Sequence, residues 1–133
     1  MTVNTKRNRI RDERGQTMAE FAIVLPILIV LLFGIVQFGI LFNNYVTLTD
    51  AVRAGARAGA VSRQESDPSG TATAAVRSSA NDLNQVQLGV SVASAWTPGA
   101  PVTVTATYPY SISLLGWVVS SGSLTTKTTE AVE

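Results

Sequence analysis

The sequence predicts an α+β protein with a long N-terminal helix, a second amphipathic helix and a small three-stranded antiparallel sheet. Two observations predict this architecture. A charge-free apolar run of 22 residues lies near the N-terminus, and an alternation of apolar and polar residues begins at Val86. With 133 residues and a formal net charge of +1, the chain has room for one small domain beside the apolar run.

The apolar run extends from Phe21 to Phe42, and Gln37 is its one strongly polar side chain. At 1.5 Å per residue the run spans about 33 Å, enough for a hydrocarbon core of about 30 Å. A cleaved secretory signal has a shorter apolar region, of about 7–15 residues. We therefore expect a retained transmembrane helix at 16–42, with an ordinary signal anchor as the alternative. Pro26 predicts a bend in this helix, because it removes a backbone donor.

Charge is distributed unevenly around the apolar run. Before Gly15 lie two acidic residues, Asp12 and Glu13, and five basic ones: Lys6, Arg7, Arg9, Arg11 and Arg14. A basic flank next to a membrane span fixes orientation, so we expect a cytoplasmic N-terminus and an extracytoplasmic head at 43–133. The lipid bilayer is then the expected partner of this region, and no nucleic acid is expected.

The junction before the run carries a specific motif. It reads Arg14-Gly15-Gln16-Thr17-Met18-Ala19-Glu20-Phe21, a glycine followed five positions later by a glutamate and then an aromatic residue. This junction resembles the type IV prepilin processing site. The stretch from residue 14 to about 63 resembles the TadE-like pseudopilins of the tight-adherence (Tad) pilus system, in which such a glycine, the acidic residue and an L-P pair recur. Here these are Gly15, Glu20 and Leu25-Pro26.

The resemblance implies removal of a basic cytoplasmic leader, residues 1–15, by a prepilin peptidase that cleaves after Gly15. Gln16 would become the new N-terminus and Glu20 its fifth residue, followed by Phe21. The implied partners are the prepilin peptidase, other Tad pilins and pseudopilins, and the inner-membrane assembly platform. The implied location is the bacterial inner membrane, or the pilus at the cell surface after assembly.

Glu20 also has an independent physical interpretation. A carboxylate at the rim of a membrane helix is expected to have a partner, and cleavage after Gly15 creates an α-amine only four residues earlier. We expect this amine to pair with Glu20, either within one subunit or from a staggered neighbour, and the pairing between subunits would set register during assembly. The alternative is a solvated acid in the headgroup zone, near the positive end of the helix dipole.

The pattern continues beyond the membrane as one helix from about Thr17 to Val61. Ala51, Gly55 and Gly59 recur every four residues and therefore share a face. Glycine in a helix interior costs about 1 kcal/mol, so we expect compensation by close packing. The contact is expected with the second helix of the same chain, with a neighbour's helix as the alternative.

The head is predicted from turn and strand signals. Asp67 and Pro68 suit a helix start, and the second helix is expected from about Ser69 to Gln85. The predicted strands are Val86–Val92, Val102–Tyr108 and Leu124–Val132. Pro109 is expected to end the pairing of the second strand.

Residues 112–119 (Ile112 to Val119) are predicted to form an apolar loop or a short helix. We expect their apolar side chains to fill the core between sheet and helix. The alternatives are a docking patch for another subunit and contact with the membrane, where tryptophan is favoured. The side chains concerned are Leu114, Leu115, Trp117, Val118 and Val119.

Composition restricts the chemistry. The chain has no Cys and no His, which excludes sites built on thiolates or imidazoles. We find no catalytic constellation, and we expect no enzyme activity, no cofactor and no metal site. The hypothesis is a minor pilin or pseudopilin with a structural or assembly-priming role in pilus biogenesis, adhesion and surface colonisation. The alternatives are a membrane-resident assembly scaffold and a single-pass anchored adhesin or binding head.

Overall fold

The computed structural model describes the backbone of residues 6–114 and 116–133, and side chains from Gly15 onwards. Two helices are followed by three strands that form one antiparallel sheet of order β1-β2-β3. This architecture confirms the predicted α+β class. The elements are α1 (Lys6–Val61), α2 (Pro68–Ser79), β1 (Gly89–Ala93), β2 (Pro101–Leu114) and β3 (Trp117–Ala131).

The chain divides into two compact units between Gln37 and Phe38. The first unit contains the N-terminal part of α1. The second contains the remainder of α1 with α2 and the sheet, and we call it the head. The basic side chains of the predicted leader precede Gly15 and lie outside the described side chains, as does Leu115. The charge asymmetry thus remains a property of the sequence.

Helix α1 starts earlier than the sequence predicts, at Lys6 instead of about Thr17, and ends at Val61 as predicted. Its backbone is helical without a break through Pro26. The ring removes the hydrogen bond that residue 26 would donate to the carbonyl of Ala22. Within the described residues, the segment 15–61 of this helix is long and apolar enough to cross a membrane.

Helix α2 begins where the sequence predicts and ends earlier than predicted. The Oδ1 atom of Asp67 accepts the N–H of Gly70 at 2.9 Å, and Pro68 occupies the first turn. The helix ends at Ser79, six residues before Gln85. The Gln85 side chain folds back and its Nε2 donates to the carbonyl of Ala80 at 2.7 Å. Ala80 and Leu83 are buried although they lie in the turn after α2. Their helix-like spacing in the sequence therefore predicted a helix end that is too late.

The cap at Asp67 predicts a pH-dependent stability. Hydrogen bonds from the Gly70 backbone and then from the Ser69 side chain lower the pKa of the Asp67 carboxyl below its ordinary value of 3.8. A lowered pKa stabilises the fold above the ordinary value, and this contribution is lost as pH falls through the lowered pKa. Asp67→Ala should therefore reduce the melting temperature at neutral pH, and the difference from the unsubstituted protein should shrink below about pH 3.8.

Thermal melts of the detergent-solubilised chain at several pH values measure this difference. Asp67→Asn is the matched control, because asparagine also caps a helix but carries no charge. It should melt close to the unsubstituted protein at neutral pH and above it once the pH falls through the lowered pKa, because asparagine does not titrate. A gap between Asp67→Ala and the unsubstituted protein that stays constant into acid would contradict the assigned role of the carboxylate.

The first predicted strand starts three residues too early. Val86 is 95% exposed and lies in a turn, and β1 begins only at Gly89. The prediction that Pro109 ends the pairing of β2 is also wrong, because Pro109 pairs with Ser123 of β3. Among the described residues β1 pairs with β2 only from Thr103 to Thr107. The missing N–H of Pro109 is tolerated because β2 has a free edge beyond that point.

The described residues of the segment 112–119, all except Leu115, form neither a core-filling loop nor a short helix. They form the closed end of the β2–β3 hairpin, where Gly116 takes a φ of 87°. Trp117, Val118 and Val119 are exposed, so the prediction that they fill the core is wrong. Strand β3 accordingly starts at Trp117 instead of Leu124.

The core of the head lies between α1, α2 and one face of the sheet. Helix α1 contributes residues of its inward face, and β2 contributes every second residue. The side chains are aliphatic and small, which permits close approach of the helices. The largest fully buried ones include Leu48, Val52, Val76, Val102 and Val104.

Candidate functional site: an exposed membrane helix and its head packing

The predicted processing and assembly residues lie in the part of α1 that belongs to the first unit. Gln16 Nε2 donates to Glu20 Oε1 at 3.0 Å, because side chains four residues apart in a helix lie on the same face. Gly15, Gln16, Glu20 and Phe21 are all exposed. An enzyme or a neighbouring chain can therefore reach each of these residues in the isolated subunit.

The Gln16–Glu20 hydrogen bond defines what the segment can do chemically. It places the side-chain amide of Gln16 on the Glu20 carboxylate across one helical turn. The carboxylate accepts from this amide at one oxygen and has further lone pairs for another donor. Because Glu20 is exposed, such a donor can reach it from outside the helix.

The apolar run gives the first unit its dominant surface. From Phe21 onwards its large apolar side chains are exposed, including Phe21, Ile23, Ile27, Leu31, Leu32 and Ile35. Burial of such a side chain is worth about 1.5–3 kcal/mol. A surface of this kind is stable in lipid or against other apolar helices, and it is unstable in water. The helix is thus suited to membrane anchoring.

The small-residue face lies within the head and packs inside the same chain. A Cβ added to Gly55 would clash with Val76 Cγ2 and lie 3.0 Å from the Ala72 carbonyl oxygen. A Cβ added to Gly59 would lie 3.0 Å from Val102 Cγ1 and 3.2 Å from Ala72 Cβ. Together with the fully buried Ala51, these glycines let α1 approach both α2 and β2.

Arg53 and Arg57 lie beside a surface groove that the sequence does not reveal. Arg53 Nη1 lies 3.4 Å from Asp50 Oδ1, an exposed pair of a kind that contributes little stability. Arg53 and Arg57 also line an open groove of about 610 Å³ between α1 and β3. Only the packing of α1 on the sheet brings Arg57 near Thr128 and Glu130, so sequence spacing carries no signal for the groove.

A comparison with protein families finds one correspondence. Residues 15–57 match the model of the TadE-like protein family, which confirms the resemblance over about a third of the chain. The match includes Gly15, Glu20, Pro26 and Gly55, and it ends two residues before Gly59. Helix α2 and the sheet lie beyond it. No curated protein and no solved structure shows a significant match to the chain.

Proposed function

We propose that this chain, with its TadE-like segment at 15–57, is a minor pilin or pseudopilin of a Tad-type pilus. The observation that carries the proposal is the continuity of α1 from an exposed apolar surface into a packed head. A filament built from lateral packing of helices needs both parts. The apolar half associates with other apolar helices, and the head supplies specific contacts.

The proposed mechanism starts in the membrane. The apolar half of α1 holds the precursor in the inner membrane, with the basic leader in the cytoplasm and the head outside. A prepilin peptidase removes the leader after Gly15, and Glu20 then pairs with the α-amine of Gln16 in the same or the next subunit. Since an unpaired charge in a membrane helix is costly, pairing between subunits favours one register of neighbouring helices.

In the final step, entry into the filament, α1 exchanges its lipid neighbours for protein neighbours. The exposed apolar side chains of α1 lose contact with lipid and gain contact with the helices of other subunits. Hydrophobic burial changes little in this exchange, so van der Waals packing and polar contacts decide the position of each helix. Gly34 and Gly39 suit such packing, because a Cβ at either position would meet open space in the single chain.

N-terminal sequencing of the protein from cells with an active prepilin peptidase tests the processing. The expected first residue is Gln16. A mature protein that keeps Met1 or Thr2 would contradict the proposal and support an ordinary signal anchor carrying an adhesin or binding head.

Sheared and purified pili test the location. The processed chain should be found in them, in minor amount. A processed chain that occurs only in the membrane fraction would support the assembly scaffold instead of a filament component.

A further inference from the structure

The β2–β3 hairpin extends well beyond the three-stranded part of the sheet. Strand β1 covers β2 only from Thr103 to Thr107, whereas the β2–β3 ladder continues to the pair Leu114–Trp117. The paired residues 108–114 and 117–124 therefore form a two-stranded ribbon. A two-stranded hairpin is marginally stable in water unless one of its faces packs against something else.

The end of this ribbon carries an exposed apolar cluster, which we call the tip: Trp117, Val118 and Val119. Their exposed fractions are 81%, 65% and 63%. The sequence has no charged residue from Tyr108 to Thr126. The rest of the ribbon, which we call the stem, is rich in serine. Uncharged polar stems with a tryptophan at the end are suited to the membrane–water interface, where tryptophan is enriched.

The direction of the ribbon follows from contacts within the head. Along α1 from Gly59 to Gly55, the nearest β2 residue changes from Val102 to Val104. Farther back on α1, Thr49 Oγ1 lies 3.5 Å from Thr126 Oγ1 of β3. Strand β2 therefore runs antiparallel to α1. The ribbon leads toward the end of the head where α1 is apolar, Phe38–Phe42.

The length of the ribbon is sufficient to bring its tip to the level of Phe42. Eight residues separate Thr126 from Val118, about 26 Å of strand. Seven residues separate Thr49 from Phe42, about 10 Å of helix. Even a ribbon inclined strongly to the helix axis covers that shorter distance. Phe42 is the last residue of the apolar run, so this level is the membrane surface if α1 spans the bilayer.

We propose that the tip is a second membrane contact, which inserts Trp117, Val118 and Val119 into the boundary between headgroups and acyl chains. Deeper insertion is excluded because the free edges of the ribbon carry backbone groups that need water or another partner. The contact holds the head against the bilayer. It depends on the membrane span of α1 and is independent of leader cleavage and of entry into a filament.

Tryptophan fluorescence of the full-length chain tests this contact. The chain has two tryptophans, and Trp96 is packed against the core, so Trp96→Phe leaves Trp117 as the reporter. In phosphatidylcholine nanodiscs loaded with single chains, Trp117 emission should be blue-shifted and quenched severalfold more by lipids brominated near the headgroup than by iodide in water. If Trp96→Phe does not fold, loss of the lipid-quenched component in Trp117→Phe gives the same information.

The matched control places a tryptophan at the other end of the head helix. Val61 is 62% exposed and lies 19 residues beyond Phe42, about 28 Å along α1. In a chain with both native tryptophans changed to Phe, Val61→Trp should be quenched by iodide and not by the brominated lipid. Equal iodide quenching of Trp117 and the Val61 reporter would overturn the proposal. Shielding of Trp117 that appears only with several chains per disc would overturn it in favour of a protein partner.

Discussion

Replacement of Gly55 by leucine is expected to unfold the head while the apolar part of α1 remains helical. Gly55 is buried where α1 contacts α2 and β2, and even a Cβ would clash with Val76 Cγ2. The Ala72 carbonyl oxygen, 3.0 Å from that Cβ, is a backbone atom and cannot move without moving α2. A leucine adds three more carbon atoms in the same space.

The expected magnitude follows from the cost of overpacking. Extra methylene groups in a packed core cost about 1–3 kcal/mol, and replacement of a helical glycine recovers about 1 kcal/mol of helix propensity. Since leucine adds four carbons and α2 is the element displaced, we expect a net loss of at least about 3 kcal/mol. A small domain has about 5–15 kcal/mol in total, so such a loss removes much of its stability.

Denaturant unfolding in nanodiscs measures this loss in chains that carry Trp117→Phe, with the fluorescence of Trp96, which packs against the core, as the signal. Gly39→Leu is the matched control, because a Cβ at Gly39 meets nothing within 4 Å. This variant should unfold at the same denaturant concentration as the unsubstituted protein. If Gly55→Leu leaves that midpoint unchanged, or Gly39→Leu lowers it equally, the small-residue face does not support the packing described here.

Local signals in the sequence were sufficient for the helices and for the order of the strands. The charge-free run predicted α1, and the Asp67-Pro68 pair predicted the start of α2, because a cap and a fixed φ act through adjacent residues. The spacing of Ala51, Gly55 and Gly59 predicted close packing. Each of these signals lies within a short stretch of chain, although the residues that pack on Gly55 and Gly59 come from α2 and β2.

The errors arose where the outcome depends on residues far away in the sequence. Apolar residues at 112–119 were assigned to the core because apolar side chains usually lie there. Their exposure follows from the length of the β2–β3 ladder, which extends past the end of β1. Pro109 was expected to stop pairing, and it is accommodated only because β1 is short. The groove beside Arg57 likewise exists only after α1 packs on the sheet.

A further large effect is expected at the processing site, where Gly15→Ala should leave most of the chain uncleaved. Gly15 lies inside α1, which the structure describes as helical from Lys6. A peptide bond in a helix must be unwound before a peptidase can bind it, and glycine lowers the cost of unwinding by about 1 kcal/mol relative to alanine. An extra methyl group in a pocket that fits glycine adds about 1–3 kcal/mol.

Together these terms predict at least a tenfold decrease in the rate of cleavage. An immunoblot that resolves the precursor from the mature chain measures it in cells that contain the peptidase. Misfolding cannot account for the effect, because a Cβ at Gly15 meets nothing within 4 Å. Gly34→Ala is the matched control: it adds the same methyl group to the same helix in open space, so it should be processed normally. If both variants are cleaved at the normal rate, Gly15 does not define the scissile bond and the prepilin interpretation of the junction is wrong.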